Sequence, residues 1–334
     1  MPLLSALMIS VSLAHPGSST GQVDRWGLES GLPQSSVTAV VPTQDGRLWL
    51  GTFAGVALFD GERADPVVVD TERPLRVTAL VADEHGLWVG TESEGLWRLE
   101  GGHFTQEPVP LAPWRTITDL VPTDQGLWLS TRQGVWLRRD GAWDQFHEGL
   151  TFDAQPAHGG GIWVCGDGVF LLDDQGKRQV VDRICKGSIA DPEGGLWFLS
   201  EAGLVHVDSQ GNTRELALPG LDPDFVGGPL IDAEGHLWVG SGNELWDLHE
   251  WQEPRLPAGR VHVFEAPVRA LLDHGGALWV GTLGHGLYRI APRGFELLAY
   301  ADTRLSGFGT GPVAAVGPRA WVAAGCAACA GCAG

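Results

Sequence analysis

Positive charge is scarce in this 334-residue chain: 22 Lys and Arg stand against 41 Asp and Glu, for a formal charge of −19. Such a surface repels polyphosphates and anionic membranes alike, so nucleic acid is not an expected partner. Long apolar runs are missing too. After an apolar stretch at residues 3–14, nothing approaches the ~18 residues of a membrane span. No HExxH, no P-loop and no Gly-x-Ser-x-Gly in a strand-to-helix context occurs, and no helix is predicted to carry one. Methionine and tyrosine number two each, whereas glycine reaches 48, proline 21 and tryptophan 15. That excess points to many tight turns between strands that share one bulky anchor.

Cysteine is sparse as well. Its five copies are an odd number, which leaves at least one unpaired. Cys165 and Cys185 lie 20 residues apart in neighbouring predicted strands, where an exported protein could bridge them. Cys326, Cys329 and Cys332 have CxxCxxC spacing inside Gly/Ala sequence. With no fourth ligand near and no core to hold a site rigid, they read as a low-complexity tail over residues 325–334 rather than a metal centre. At the other end, residues 1–21 pair the apolar run with the small residues Ser12 and Ala14, as an export signal does, so a periplasmic or otherwise extracytoplasmic location is expected. No Lys or Arg precedes the run, which leaves a truncated start or a disordered lead as the competing explanation.

What the chain does have is a repeat. Trp49-Leu-Gly-Thr52 recurs as Trp88-Val-Gly-Thr91, Trp128-Leu-Ser-Thr131, Trp163-Val-Cys-Gly166, Trp197-Phe-Leu-Ser200, Trp238-Val-Gly-Ser241, Trp279-Val-Gly-Thr282 and Trp321-Val-Ala-Ala324. The tryptophans are spaced by 39, 40, 35, 34, 41, 41 and 42 residues. A period near 40 with apolar alternation inside each unit is that of a four-stranded propeller blade, not of a helical hairpin. A sheet apolar on both faces must pack against like sheets, and a closed ring supplies them. The fold expected is therefore an all-β propeller of four-stranded antiparallel blades in a single domain over residues 22–324. Eight anchors predict eight blades, with residues 23–28 closing a blade begun by residues 313–323; seven blades and a stub is the alternative. Recurrent Asp-x-x-Gly turns, such as Asp191 to Gly194 and Asp232 to Gly235, are explained by carboxylate capping and positive φ without calcium.

The stretches Glu29-Ser-Gly-Leu-Pro-Gln-Ser-Ser-Val-Thr-Ala-Val40, Asp45-Gly-Arg-Leu-Trp-Leu-Gly-Thr52 and Gly55-Val-Ala-Leu-Phe-Asp-Gly61 resemble the two-component regulator propeller repeat, and the likeness runs over about residues 22–324. The resemblance implies the exported, ligand-sensing part of a signalling protein whose membrane span and histidine kinase or diguanylate cyclase output lie outside this chain. It implies no catalytic residue, and no cofactor or metal is expected.

Ligands of such rings sit where loops converge on one mouth of the channel. Loops entering each first strand bring Ser36, Arg76, Arg115, Asp153, Lys186, Phe225 and Arg269 there. Those joining second to third strands bring Glu92, Glu94, Arg132, Asp167, Asn243 and His285. The four cations of the first set, Arg76, Arg115, Lys186 and Arg269, in an acidic protein predict a positive focus for a small-molecule or oligosaccharide ligand, anionic in character, with ordinary exposed loop charges as the plainer explanation. Two further functions stay open: a propeller lyase or glycan hydrolase, which needs paired carboxylates or a His/Tyr pair in the mouth, and a protein-interaction scaffold using a blade face.

Overall fold

A computed structural model describes residues 11–12, 22–69, 71, 73–83, 86–110, 116–200, 203–216, 226–248, 258–291, 308–316 and 319–326. It contains seven four-stranded antiparallel sheets. Blade 1 comprises Val37–Pro42, Leu48–Thr52, Gly55–Phe59 and Ala64–Pro66. Blade 2 comprises Val77–Asp83, Gly86–Thr91, Leu96–Glu100 and His103–Glu107. Blade 3 comprises Ile117–Thr123, Gly126–Thr131, Gly134–Arg139 and Ala142–Glu148. Blade 4 comprises Thr151–Pro156, Ile162–Gly166, Val169–Asp173 and Gly176–Val181. Blade 5 comprises Ser188–Ala190, Leu196–Ser200, Gly203–Val207 and Thr213–Leu216. Blade 6 comprises Val226–Ile231, Leu237–Ser241, Glu244–Leu248 and Ala258–Val263. Blade 7 comprises Val268–His274, Ala277–Thr282 and Leu287–Ala291, with Gln22–Trp26 as its outermost strand. The first strands neighbour one another in order, and that of blade 7 lies beside that of blade 1, which closes the circle.

The blade count is corrected to seven. The N-terminal strand completes the blade begun at Val268, not one begun near residue 313. Packing explains why: Trp26 lies 5.6 Å from Trp279 and 5.2 Å edge-on to Phe59 of blade 1, so the closing strand seals the junction of blades 7 and 1. The strand ends at Trp26, and Leu28–Ser30 is a 3-10 turn rather than its continuation. Phe308–Val316, Arg319–Cys326 and Val11–Ser12, which include the eighth anchor, Trp321, form a three-stranded sheet of their own. They belong to a second compact unit, residues 1–22 and 291–334, whereas the ring is residues 23–290. The rest of the proposed signal and the Gly/Ala tail beyond Cys326 lie outside the described residues. Among the described residues no helix is long and apolar enough to cross a membrane.

Seven hydrophobic clusters hold the ring, one at each junction, and each takes the tryptophan of one blade against the sheet of the next. Trp128, Trp163, Trp197 and Trp238 are almost wholly buried there. The rest of the motif has equally local reasons. A methyl group on Gly51 or Gly90 would sit 2.6 or 2.7 Å from Val77 or Ile117 of the following blade, so glycine lets the next first strand close in. The motif hydroxyl turns the chain into the third strand: Thr52 donates to the Gly55 carbonyl at 2.9 Å, and Thr91 to that of Gly95 at 2.7 Å. Turn aspartates also anchor the indoles, since Trp238 donates to Asp232 at 2.7 Å and Trp88 to Asp83 at 3.0 Å. Cys165 and Cys185 form a disulfide with Cα atoms 5.1 Å apart, tying blade 4 to the segment that enters blade 5.

Candidate ligand site at the mouth of the ring

The first strands that line the channel are bulged. Register slips at Val37/Ala39, Val77/Ala79, Ile117/Asp119, Thr151/Asp153 and Val268/Ala270, so one residue per strand has no partner. A bulge re-aims the side chain it carries. Counting back three residues from the partner of each blade tryptophan gives Thr38, Thr78, Thr118, Phe152, Lys186, Gly227 and Arg269. Counting back two gives Ala39, Ala79, Asp119, Asp153, Gly187, Gly228 and Ala270. Every one of these except Gly227 walls a channel cavity of about 230 Å³. A cavity of about 400 Å³ shares Thr38, Thr78, Thr118, Phe152 and Arg269 with it and adds Phe53, Glu92 and Arg132 toward the rim.

The predicted mouth residues sort by depth. Arg269 reaches both cavities, Lys186 the deeper one, and Arg132 and Glu92 the outer one. Arg76 stands at the rim with its guanidinium 4.3 Å above the Phe53 ring, but it is ion-paired with Glu92, so its charge is largely offset. Ser36 is not presented at all. Buried at 6 % exposure, it bridges to Leu283 of blade 7 and hydrogen-bonds with Gln34, closing the ring. Asn243 donates to the Phe264 carbonyl at 2.8 Å, which fixes the end of blade 6. His285 pairs with Glu265 at 2.9 Å, while Glu94 accepts from Ser93 and Asp167 is exposed; none of the three lines either cavity. Arg115 and Phe225 lie outside the described residues.

Asp153 sits below the mouth rather than in it, and it has a partner that sequence reasoning missed. Asp119, on the neighbouring blade at the same ring position, hydrogen-bonds with it side chain to side chain. Each carboxyl also reaches across a blade junction. Asp119 accepts from the Ala154 amide at 3.2 Å and from Leu120 at 2.8 Å, and Asp153 accepts from the amide and hydroxyl of Ser188, both at 2.6 Å. Burial, then the charge of Asp153, pushes the Asp119 carboxyl well above the usual carboxylate range. Burial raises Asp153 too, against the pull of the Ser188 hydrogen bonds. Two carboxyls in contact cannot both ionise cheaply, so the pair holds one proton to a higher pH than an ordinary carboxyl would. In the two preceding blades a threonine makes the equivalent link: Thr38 donates to the Val77 carbonyl at 2.8 Å and Thr78 to that of Ile117 at 2.6 Å. The signal for Asp119 was available in the repeat, where five blades carry Ala or Gly at that position and two carry Asp. Using it required the strand register.

A closed ring of seven such sheets, with cations and hydroxyls lining the mouth of its channel, defines a β-propeller with a polar channel. The two component regulator propeller family matches residues 31–54, which span the first two strands of blade 1, so the chain carries that propeller repeat. Among solved structures it is similar to the protein described as the extracellular domain of a hybrid two component system of B. thetaiotaomicron, at 19% identity and TM-score 0.68, covering 89% of this chain and 46% of that one. A domain described as extracellular, from a one component system of the same organism, matches at 15% identity and TM-score 0.67, covering 80% of this chain and 39% of that one. The chain thus spans less than half the length of these two proteins. Virginiamycin B lyase of Staphylococcus aureus matches at 11% identity and TM-score 0.69, covering 82% of this chain and 100% of the lyase. At these identities the likeness is one of fold. No curated protein matches the chain in sequence.

Proposed function

We propose that this chain is an extracytoplasmic sensor propeller that binds an anionic small molecule or oligosaccharide at its mouth and works as the ligand-binding part of a signal-transduction receptor, without catalytic output of its own. The observation that carries it is the outer cavity of about 400 Å³, lined by Arg132 and Arg269 together with Phe53 and the Arg76-paired Glu92, in a protein of net charge −19. Cations gathered in a concave site of an otherwise acidic protein focus potential on that site. The repeat match and the two sensor-system neighbours support the receptor context, and residues 1–21 support export. Asp119 and Asp153 do not have the arrangement of a glycosidase pair, since they hydrogen-bond to each other, whereas a retaining enzyme holds its carboxyls about 5 Å apart and an inverting one further still.

Titration of the full chain with trigalacturonate by calorimetry tests this. Binding that weakens with added salt and falls at least tenfold in Arg132→Ala/Arg269→Ala is expected. Affinity for acidic oligosaccharides and acidic small molecules that is absent, or indifferent to those two arginines, would overturn it.

A further inference from the structure

Arg76 has two side-chain partners, and both of them line the mouth. Its guanidinium lies 4.3 Å above the ring of Phe53, which sits between the second and third strands of blade 1. The same guanidinium is ion-paired with Glu92, at the equivalent place in blade 2, and the Glu92 amide donates to the Arg76 carbonyl at 2.8 Å. Phe53 and Glu92 wall the outer cavity of about 400 Å³, but Arg76 does not. It stands behind them at the junction of blades 1 and 2, with its charge directed at a ring face and a carboxylate.

Phe53, Glu92 and Arg132 hold the same rim position in three successive blades, each following a motif threonine: Thr52, Thr91 and Thr131. What they offer differs. Arg132, together with Arg269, brings positive charge for an anionic group. A carboxylate in such a place repels an anion and needs a reason to be there. Arg76 supplies it by pairing with Oε2 of Glu92, which offsets the charge and leaves Oε1, an acceptor only, for a hydroxyl of the ligand. Phe53 adds ring surface on the side that Arg76 does not cover.

We infer that Arg76 is a positioning residue of the mouth: it holds the Phe53 ring and the Glu92 carboxylate at the cavity, so that Glu92 accepts from ligand hydroxyls beside the anionic group held by Arg132 and Arg269. The inference rests on the proposed anion-binding function and deepens it, because it calls for a ligand with hydroxyl donors as well as charge, as an acidic oligosaccharide has. Arg76, which its loop position marks as a ligand cation, then acts on the ligand only through its two neighbours.

Calorimetric titration of the full chain with trigalacturonate separates positioning from direct contact, because residues that act through one another are not additive. Arg76→Ala is expected to weaken binding about fivefold or more in the wild-type background, with its melting temperature unchanged because the ion pair is exposed. In Phe53→Ala/Glu92→Ala the same substitution is expected to cost less than about twofold, since nothing is left for it to position. An equal loss in both backgrounds would make Arg76 a direct ligand contact, and no loss in either would leave it without a role at the mouth. Each of these overturns the inference, while binding that still depends on Arg132 and Arg269 leaves the mouth function standing. Should the wild-type chain not bind trigalacturonate, a crystal structure of Arg76→Ala decides: displacement of Phe53 and Glu92 would support the positioning, and both keeping their places would refute it.

Discussion

Asp119 and Asp153 show how much one ring position can alter. Five blades use Ala or Gly two residues before the partner of the tryptophan, and two adjacent blades use aspartate, which brings two carboxyls into contact. Because the folded Asp119 carboxyl titrates well above its ordinary range, the folded protein keeps a proton that the unfolded chain has lost. The associated stability is fully present below about pH 4 and is lost as pH rises toward the raised value, with a slope of up to ~1.4 kcal/mol per pH unit. Asp119→Asn holds a neutral amide against Asp153 and removes that proton from the balance. Urea unfolding at a series of pH values from 4 to 8 should therefore show Asp119→Asn gaining on wild type as pH rises. A difference between the two that does not change with pH would contradict the shared proton.

Strands carry the second scale of effect, and the outer strand of blade 3, Ala142–Glu148, holds the clearest case. His147 is 3 % exposed, its ring centroid lies 4.8 Å from that of Phe170 of blade 4, and neither ring nitrogen has a hydrogen-bond partner among the described residues. Burial, with the nearby Lys177 charge adding to it and Asp167 opposing, lowers the His147 pKa to about 4. The unfolded histidine takes up its proton near pH 6.5 and the folded one does not. Stability is therefore complete above pH 6.5 and falls by about 3 kcal/mol as pH drops to about 4. His147→Phe keeps a ring against Phe170 and cannot be protonated. Its melting temperature should hold between pH 6.5 and 4 where that of wild type declines, and parallel profiles for the two proteins would rule this out.

At the scale of the whole ring, closure depends on one short strand from the far end of the sequence. Gln22–Trp26 joins blade 7, and Trp26 touches both Trp279 and Phe59, so a single indole spans the place where the ring would otherwise open. Truncating a packed tryptophan costs about 3 kcal/mol or more. Trp26→Ala should lower the unfolding free energy by about that amount, and hydrogen exchange should rise first in blades 7 and 1. Exchange that rises evenly in all seven blades, or first in blades 3 to 5, would show that closure resides elsewhere. The same closure sets the mouth: blade 7 supplies Arg269, so the anion site and the seam of the ring share a blade.

Much of this was written in the order of the residues. Indoles at blade-length intervals, each followed by a small residue and a hydroxyl, specify four-stranded units and the wedge between them, because those demands are local and repeat with the chain. The number of units in the ring was not local. Trp321 has the spacing of an eighth anchor, yet the strand that would have completed its blade pairs with Leu287–Ala291 instead, a choice made by packing between chain segments more than 250 residues apart. The site divides the same way. Lys186 and Arg269 could be read as mouth cations from their loops, whereas Asp119 and the paired state of Arg76 depend on bulges and on which blades face one another across the channel. A sequence states its periodicity outright, but which side chains share a cavity is decided only when the ring closes.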